Sequence, residues 1–421
     1  MKTLLYFEEC ESNLSHELFK RKDIIPIVIR TNKNMRFFSS DYLEKTREIK
    51  CFVIDFYNDI DEEVKKFKKW CEEQQIYIDY FLNDSEYYLE FSNKFAQKLG
   101  LDALADEQVE WVRDKIAMKK KFREIGLKTV DFAEINSKQD LIYFFLKNGC
   151  KRIIFKPRRG MNSIDTYMID TLKDIETLGI NIVPNKYMAE TFCYDHEWSI
   201  ESLVQDGKVL DSYVTYIPNP TIWASINNNL NCHMTVTKVP DYFSFVPKKF
   251  IQEIVSGMNL KNGAMTIEVF ISNDGNIMAS EMGWRLPGCQ ATLNHSYSYG
   301  IDIYNLLLDI AIHKPVKLKY RDKIVSVGDL YLPNKEGIIE YITPLEELKG
   351  MDGVIAGEMF AKVGEYQTKR RVGNDASGWV QVLGIDETDT LKKMQSIFDS
   401  FKIETERQIG GRKYEKKDKN N

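Results

Sequence analysis

GAMTIEVFISNDGNIMASEMGWRLPG, residues Gly263 to Gly288, is the stretch on which the reading of the whole chain turns. Asp274-Gly275 sits between two apolar, partly β-branched runs, a pattern that predicts a hairpin with a two-residue loop. In that register Glu268 falls directly opposite Glu281, with Cβ atoms roughly 4.5–5.5 Å apart. Like charges so placed repel, and a cation between them removes the penalty. An oxygen-only donor set suits Mg²⁺ or Mn²⁺. The pair alone reads equally well as a solvated polar face on an edge hairpin. Arg285 tips the balance toward a site, because it stands four residues past Glu281 and leads into Leu286, Pro287 and Gly288.

The chain has 421 residues, enough for two or three domains at roughly 100–200 residues each. It is 43% hydrophobic and 12% aromatic, a globular composition. With 58 basic against 63 acidic residues the net charge is −5, which offers no electrostatic footprint for nucleic acid. The seven cysteines (Cys10, Cys51, Cys71, Cys150, Cys193, Cys232 and Cys289) form no CxxC pair and read as reduced thiols. No apolar run reaches the ~20 residues of a membrane span, and Glu8 and Glu9 interrupt the N-terminal apolar run, so no membrane is expected and the cytoplasm is the expected location. Low complexity is confined to the tail Gly410 to Asn421, expected to be frayed.

Thr3–Phe7, Ile24–Arg30, Cys51–Phe56 and Tyr77–Phe81 are apolar runs alternating with helix-compatible segments, which predicts βαβ units and a Rossmann-like domain. Without GxGxxG, dinucleotide binding is not supported. Asp106 to Ile125 reads as one helix ended by Gly126, with Lys115 and its neighbouring lysines expected on a solvated face. Arg152–Phe155 reads as a strand running through Lys156 into a Gly160–Ser163 loop, which is either a phosphate cradle or an ordinary basic hairpin. In HEWSIES, Glu197 and Glu201 share a strand face and could accept hydrogen bonds from ribose hydroxyls. Segment 217–240 has no regular period and is expected to be a substrate loop. His233 within it, and His295 beyond the arginine, are candidate substrate contacts with surface exposure or ordinary packing as their alternatives. Ile301–His313 reads as a helix. Val325–Asn334, Gly337–Ile342, Val354–Val363 and Gly378–Val382 read as strands, and Asp386–Phe401 as a closing helix.

Taken in order, Asp114-Lys115, Lys156, Gly160 to Ser163, MAETFCYDHEWSIE, Glu268, Glu281, Arg285 and Tyr299-Gly300-Ile301-Asp302 resemble the ATP-grasp ligases over Asp114 to Asp309. The resemblance implies an α/β (α+β) ATP-grasp fold. It places a Rossmann-like domain at 1–105, a linker helix and lid subdomain at 106–200, a catalytic core with the metal hairpin at 201–313, and a β-rich C-terminal extension at 314–409. It implies ATP as cofactor, bound by Lys115, Lys156, Gly160, Ser163, Glu190, Thr191, Phe192 and Glu197. Glu268 and Glu281 would hold Mg²⁺ or Mn²⁺, while Arg285 and the backbone at Gly288 would stabilise the reacting acyl group.

The implied activity is ADP-forming ligation of a small carboxylate to an amine through an acyl phosphate, most like the L-amino-acid ligases. Alternatives are an acceptor amine carried on a carrier protein or biosynthetic intermediate, and a nucleotide-binding protein without chemistry. A homodimer is compatible with either. Two departures stand out: Gly283 occupies a position where many members have a metal-binding Asn, and the phosphate loop has Asn162 and Asp165 where glycine is usual. Asn and Asp tolerate left-handed backbone, so that loop is still expected to form.

Overall fold

The computed structural model describes residues 1–56, 58–368 and 375–406, so the tail at 410–421 lies outside the described residues. The N-terminal strands β1 (Lys2–Phe7), β2 (Ile24–Thr31), β3 (Lys50–Ile54) and β4 (Tyr80–Asn83) form a parallel sheet in the order β3-β2-β1-β4. The fourth strand begins three residues later than its apolar run suggests. Asp79 fixes that entry, accepting a hydrogen bond from Thr3 N at 2.8 Å and donating its own N–H to Thr3 O at 3.0 Å.

The helix expected over 106–125 is two helices, Asp106–Arg113 and Lys115–Glu124. Asp114 breaks the ladder. Its backbone is extended (φ −94°, ψ 112°), and its Oδ1 accepts from Ile116 N at 3.0 Å and Ala117 N at 3.1 Å, which makes it the N-cap of the second helix. Its other oxygen meets Arg158 at 3.0 Å and Arg159 at 3.4 Å. Asp114→Ala therefore removes a cap and leaves partly buried guanidinium groups short of a partner. We expect a loss of roughly 2 kcal/mol or more in a urea denaturation series.

An antiparallel lid sheet follows, built from β5 (Phe132–Ile135), β6 (Ile153–Pro157), β7 (Tyr167–Ile169) and β8 (Tyr187–Thr191) in the order β5-β8-β6-β7. Phe155 and Tyr187 stack at 5.0 Å in its core, next to Phe145 of the helix Lys138–Lys147.

The centre of the molecule is an eight-stranded sheet. It contains β9 (His196–Gln205), β10 (Lys208–Ile217), β11 (Asn231–Thr235), β12 (Gly263–Ile271), β13 (Ile277–Gly283) and β14 (Ser326–Tyr331). After β15 (Gly337–Ile342) come β16 (Val354–Met359), β17 (Tyr366–Gln367), β18 (Gly378–Gly384) and β19 (Ile403–Glu406). The order is β13-β12-β9-β10-β11-β14-β18-β16, with β17-β15-β19 as a small separate sheet. Three strands of the expected C-terminal extension thus continue the central sheet. The boundary expected at 200 falls inside β9. Segment 217–240 is not an irregular loop: it holds the helix Thr221–Asn227 and then β11, a central strand whose five residues are all buried.

One apolar core joins Met118 and Phe122 of the linker helix to Ile251 and Ile254 of the helix Pro247–Gly257 and to Ile267 and Val269 of β12. A second joins Leu4 and Tyr6 of β1 to Leu203, Leu286 and Leu307. Burying each such side chain contributes roughly 1.5–3 kcal/mol, so the N-terminal sheet and the linker helix are both firmly seated against the central sheet.

Candidate active site

Glu268 does pair with Glu281, though through different turn chemistry from that expected. Ser272 and Asn276 close the hairpin, with Ser272 N donating to Asn276 O at 3.0 Å and Gly275 N to Ser272 O at 2.8 Å. Only Gly275 of the loop's centre is left-handed (φ +78°), the geometry of a three-residue loop. Glycine is required there, since a Cβ would lie 1.8 Å from Tyr242 O. From Ile271↔Ile277 the ladder runs to Val269↔Ala279 and then steps over Ser280, a β-bulge that brings Glu281 opposite Glu268. The longer loop and the bulge offset each other. Glu281, Glu268, Ser199, Thr215 and Thr235 consequently form one row across five strands.

The first four residues of that row floor a cleft of about 290 Å³ between the central sheet and the lid. Lys115, Lys156, Gly160, Ser163, Glu190, Thr191, Phe192, Glu197, His233, Glu268, Glu281, Arg285 and Gly288 all line it. His295 does not. It is fully buried beneath the floor, with Nε2 2.9 Å from Glu201 Oε2 and Nδ1 3.1 Å from Thr235 Oγ1, so it supports Glu201 from behind. A cavity of about 370 Å³ beside β4 and the start of β12 gathers neither the facing glutamates nor Lys115 and Lys156.

The charges interlock. Lys115 Nζ lies 3.0 Å from Glu281 Oε1 and donates to Gly160 O at 2.8 Å. Lys156 Nζ lies 2.7 Å from Glu190 Oε1 and 3.4 Å from Glu281 Oε2. Of the lysines expected on a solvated face of the linker helix, Lys120 is exposed, but Lys115 (5% exposed), Lys119 (0%) and Lys121 (8%) are buried. Lys119 reaches Glu190 Oε2 at 3.0 Å and donates to Ser280 O at 2.8 Å.

Burial pushes the Glu268 carboxyl up, and Glu281 and Glu197 add to it, so that it reaches about 8. Burial also pushes Glu281 up, but Lys115 and Lys156 outweigh it and hold the group at about 2. Burial raises Glu197 as well, against a hydrogen bond accepted from Thr221 N at 3.2 Å. A facing pair of which one member resists ionisation fits a divalent cation as its missing partner. Among the described residues no group of three or more His, Cys, Asp or Glu could hold a metal ion, so Glu268 and Glu281 would share it with ligand oxygens. Gly283 supplies no third ligand, and a Cβ there would be in ordinary van der Waals contact with Arg285 Cγ at 3.4 Å and Nε at 3.5 Å, so the absence of a ligand is set by the residue and not by lack of room.

Arg285 donates through Nε at 3.0 Å and Nη2 at 2.6 Å to Glu86 Oε2, and through Nη1 at 2.7 Å to Leu286 O. Glu86 also meets Arg113 at 3.3 Å. The phosphate-loop residues Asn162, Ser163 and Asp165 are all left-handed (φ +54°, +57° and +55°), so the loop forms without the usual glycines. His233 Nδ1 lies 3.0 Å from Asp329 Oδ2, whose Oδ1 accepts from Asn294 Nδ2 at 2.6 Å. Burial lowers His233, but Asp329 more than compensates and raises it above the ordinary histidine value.

Cys289 stands exposed on the cleft wall with a left-handed backbone (φ +59°).

Sequence reasoning missed Glu86, Lys119 and Asp329. Lys119 carried a signal, four residues from Lys115 on the same helical face. Glu86 carried one too, just past the carboxyl end of a parallel strand, but the misplaced β4 hid it. Asp329 had none, because its meeting with His233 depends on β11 pairing with β14.

No protein-family model matches the chain. It is 22% identical over 275 residues to the L-arginine-specific L-amino acid ligase of Bacillus subtilis. That match covers 63% of this chain and 65% of the relative, so the chain spans just under two thirds of that protein's length. Among solved structures, the L-amino acid ligase from Bacillus licheniformis superposes with a TM-score of 0.75 at 19% identity, covering 97% of this chain and 99% of that one. The N5-carboxyaminoimidazole ribonucleotide synthetase from Thermotoga maritima gives 0.68 at 14% identity, covering 96% and 100%. These are ATP-grasp enzymes, and the chain has the ATP-grasp fold. Within that class it is similar to L-amino acid ligases in both sequence and architecture. No described helix is long and apolar enough to cross a membrane.

Proposed function

We propose that the chain is an ATP-dependent, ADP-forming ligase that joins an amino acid or small carboxylic acid to an amine. The observation that carries the reading is the convergence of Lys115, Lys156, Arg285 and the Glu268–Glu281 pair, from separate elements, on one cleft. The similarity to the L-arginine-specific L-amino acid ligase supports amino acids as substrates.

A substrate carboxylate oxygen attacks the γ-phosphorus of ATP, the bond to the bridging oxygen of ADP breaks, and an acyl phosphate forms. The amine nitrogen then attacks the acyl carbon, phosphate leaves, and the nitrogen gives up its proton. Lys115 and Lys156 supply fixed positive charge along the phosphate chain, and Glu197 accepts from the ribose. Glu190, with Thr191 and Phe192, frames the adenine. A Mg²⁺ or Mn²⁺ ion held by Glu268, Glu281 and phosphate oxygens would neutralise charge on the phosphates. Arg285 and the backbone N–H groups near Gly288 stabilise the oxyanion as it develops. His233, oriented by Asp329, faces the same cleft and is positioned for a polar substrate group.

The test is a screen of amino-acid pairs for nucleotide products. ADP and phosphate should appear only when a carboxylate and an amine are both present, accompanied by a product of the condensed mass. AMP and pyrophosphate, or no turnover across the panel, would defeat the reading.

A further inference from the structure

We infer that Lys119, which does not line the cleft, is a positioning residue that ties the nucleotide end of the site to the metal-binding hairpin. The inference rests on the ligase reading above and concerns a residue which that reading leaves without a role. The Lys119 side chain is 1% exposed, and its ammonium has two partners on two different elements. One is Glu190 Oε2 on lid strand β8, at 3.0 Å. The other is the carbonyl of Ser280 on β13, at 2.8 Å.

Ser280 is the bulged residue. The ladder steps over it between Val269↔Ala279 and Glu268↔Glu281. Without that step Ser280 would take the place opposite Glu268, and Glu281 would move up the ladder. A β-bulge leaves its extra residue unpaired in the ladder, and in this one Lys119 occupies the carbonyl. The same ammonium holds one oxygen of Glu190, whose other oxygen lies 2.7 Å from Lys156. Glu281 in turn meets Lys115 and Lys156. Lys119 is thus the point at which lid strand β8 and the bulge are pinned to the linker helix. An ammonium suits this task because it is compact, with three donors free to rotate toward separate acceptors, whereas a guanidinium presents a planar fork.

The test uses the full chain with Lys119→Met and Lys119→Arg. MgADP and metal-free ADP are titrated by calorimetry well below each variant's Tm, and far-UV circular dichroism reports the fold. We expect Lys119→Met to raise the MgADP Kd at least tenfold and the metal-free ADP Kd by less, since metal binding also depends on where Glu281 sits. Lys119→Arg should raise the MgADP Kd at least threefold. If Lys119 served stability alone, Tm would fall while both Kd values stayed at the wild-type level, and that result overturns the inference. Should Lys119→Met fail to fold, Lys119→Arg decides by the same criterion. Wild-type protein that binds no MgADP would overturn the reading of the whole site, and this inference with it. Wild-type binding with unchanged variants overturns the inference alone.

Discussion

Glu281→Gln lowers metal-dependent ATP turnover by at least about 100-fold while the fold persists. Glutamine keeps the volume and the strand geometry of the row but removes the charge that now lies 3.0 Å from Lys115 and 3.4 Å from Lys156. Two consequences follow for the cleft. The lysines lose the carboxylate that holds them over the floor, and Glu268, already pushed up to about 8 by burial and its acidic neighbours, becomes the only carboxylate of the pair. Loss of a group that merely orients a metal ligand costs 10–100-fold, so loss of a ligand should cost at least the upper figure. Steady-state ADP release at saturating Mg²⁺ measures it. Turnover equal to wild type would sink the two-glutamate metal site.

Arg285→Lys is expected to lower kcat by about 100–1,000-fold, with a much smaller change in the KM for ATP, because an interaction made with the developing oxyanion appears in kcat. The substitution is not conservative. Arg285 uses three nitrogens at once, two on Glu86 and one on Leu286 O, and an ammonium cannot reproduce that fork. Glu86 also holds it in the cleft wall at the carboxyl end of β4, which gives the guanidinium a fixed direction. Measuring kcat and KM separately is decisive. A raised KM with kcat intact would make Arg285 a ground-state binding residue and remove it from the chemical step.

The features legible in the sequence were those set by short-range pattern. Period-two alternation in HEWSIES put Glu197 and Glu201 on one face, and in β9 both line the cleft, Glu201 with His295 behind it. The Asp274-Gly275 signal located the hairpin, and the glutamate pairing emerged although the loop is longer and a bulge shifts the register. That agreement came from two offsetting departures, and a sequence pattern carries neither. Asp114 read as one more polar residue in a helix, yet its capping bonds divide that helix in two. Lys115 and Lys119 read as part of a solvated face because burial of a lysine depends on which carboxylates the fold brings to it from 71 to 166 residues away, as Glu190 and Glu281 are brought here. Segment 217–240 was misjudged because a short strand buried on both faces, such as NCHMT, shows no alternation.

The central claim is that a carboxylate is activated by phosphoryl transfer from ATP before the amine attacks. The direct measurement supplies the substrate carboxylate labelled with heavy oxygen in any amino-acid pair that supports ADP release, and analyses the released phosphate by mass spectrometry. An acyl phosphate requires one labelled oxygen to pass from the carboxylate into inorganic phosphate, with the other kept in the amide product. Phosphate without label, or label found in AMP, would contradict it.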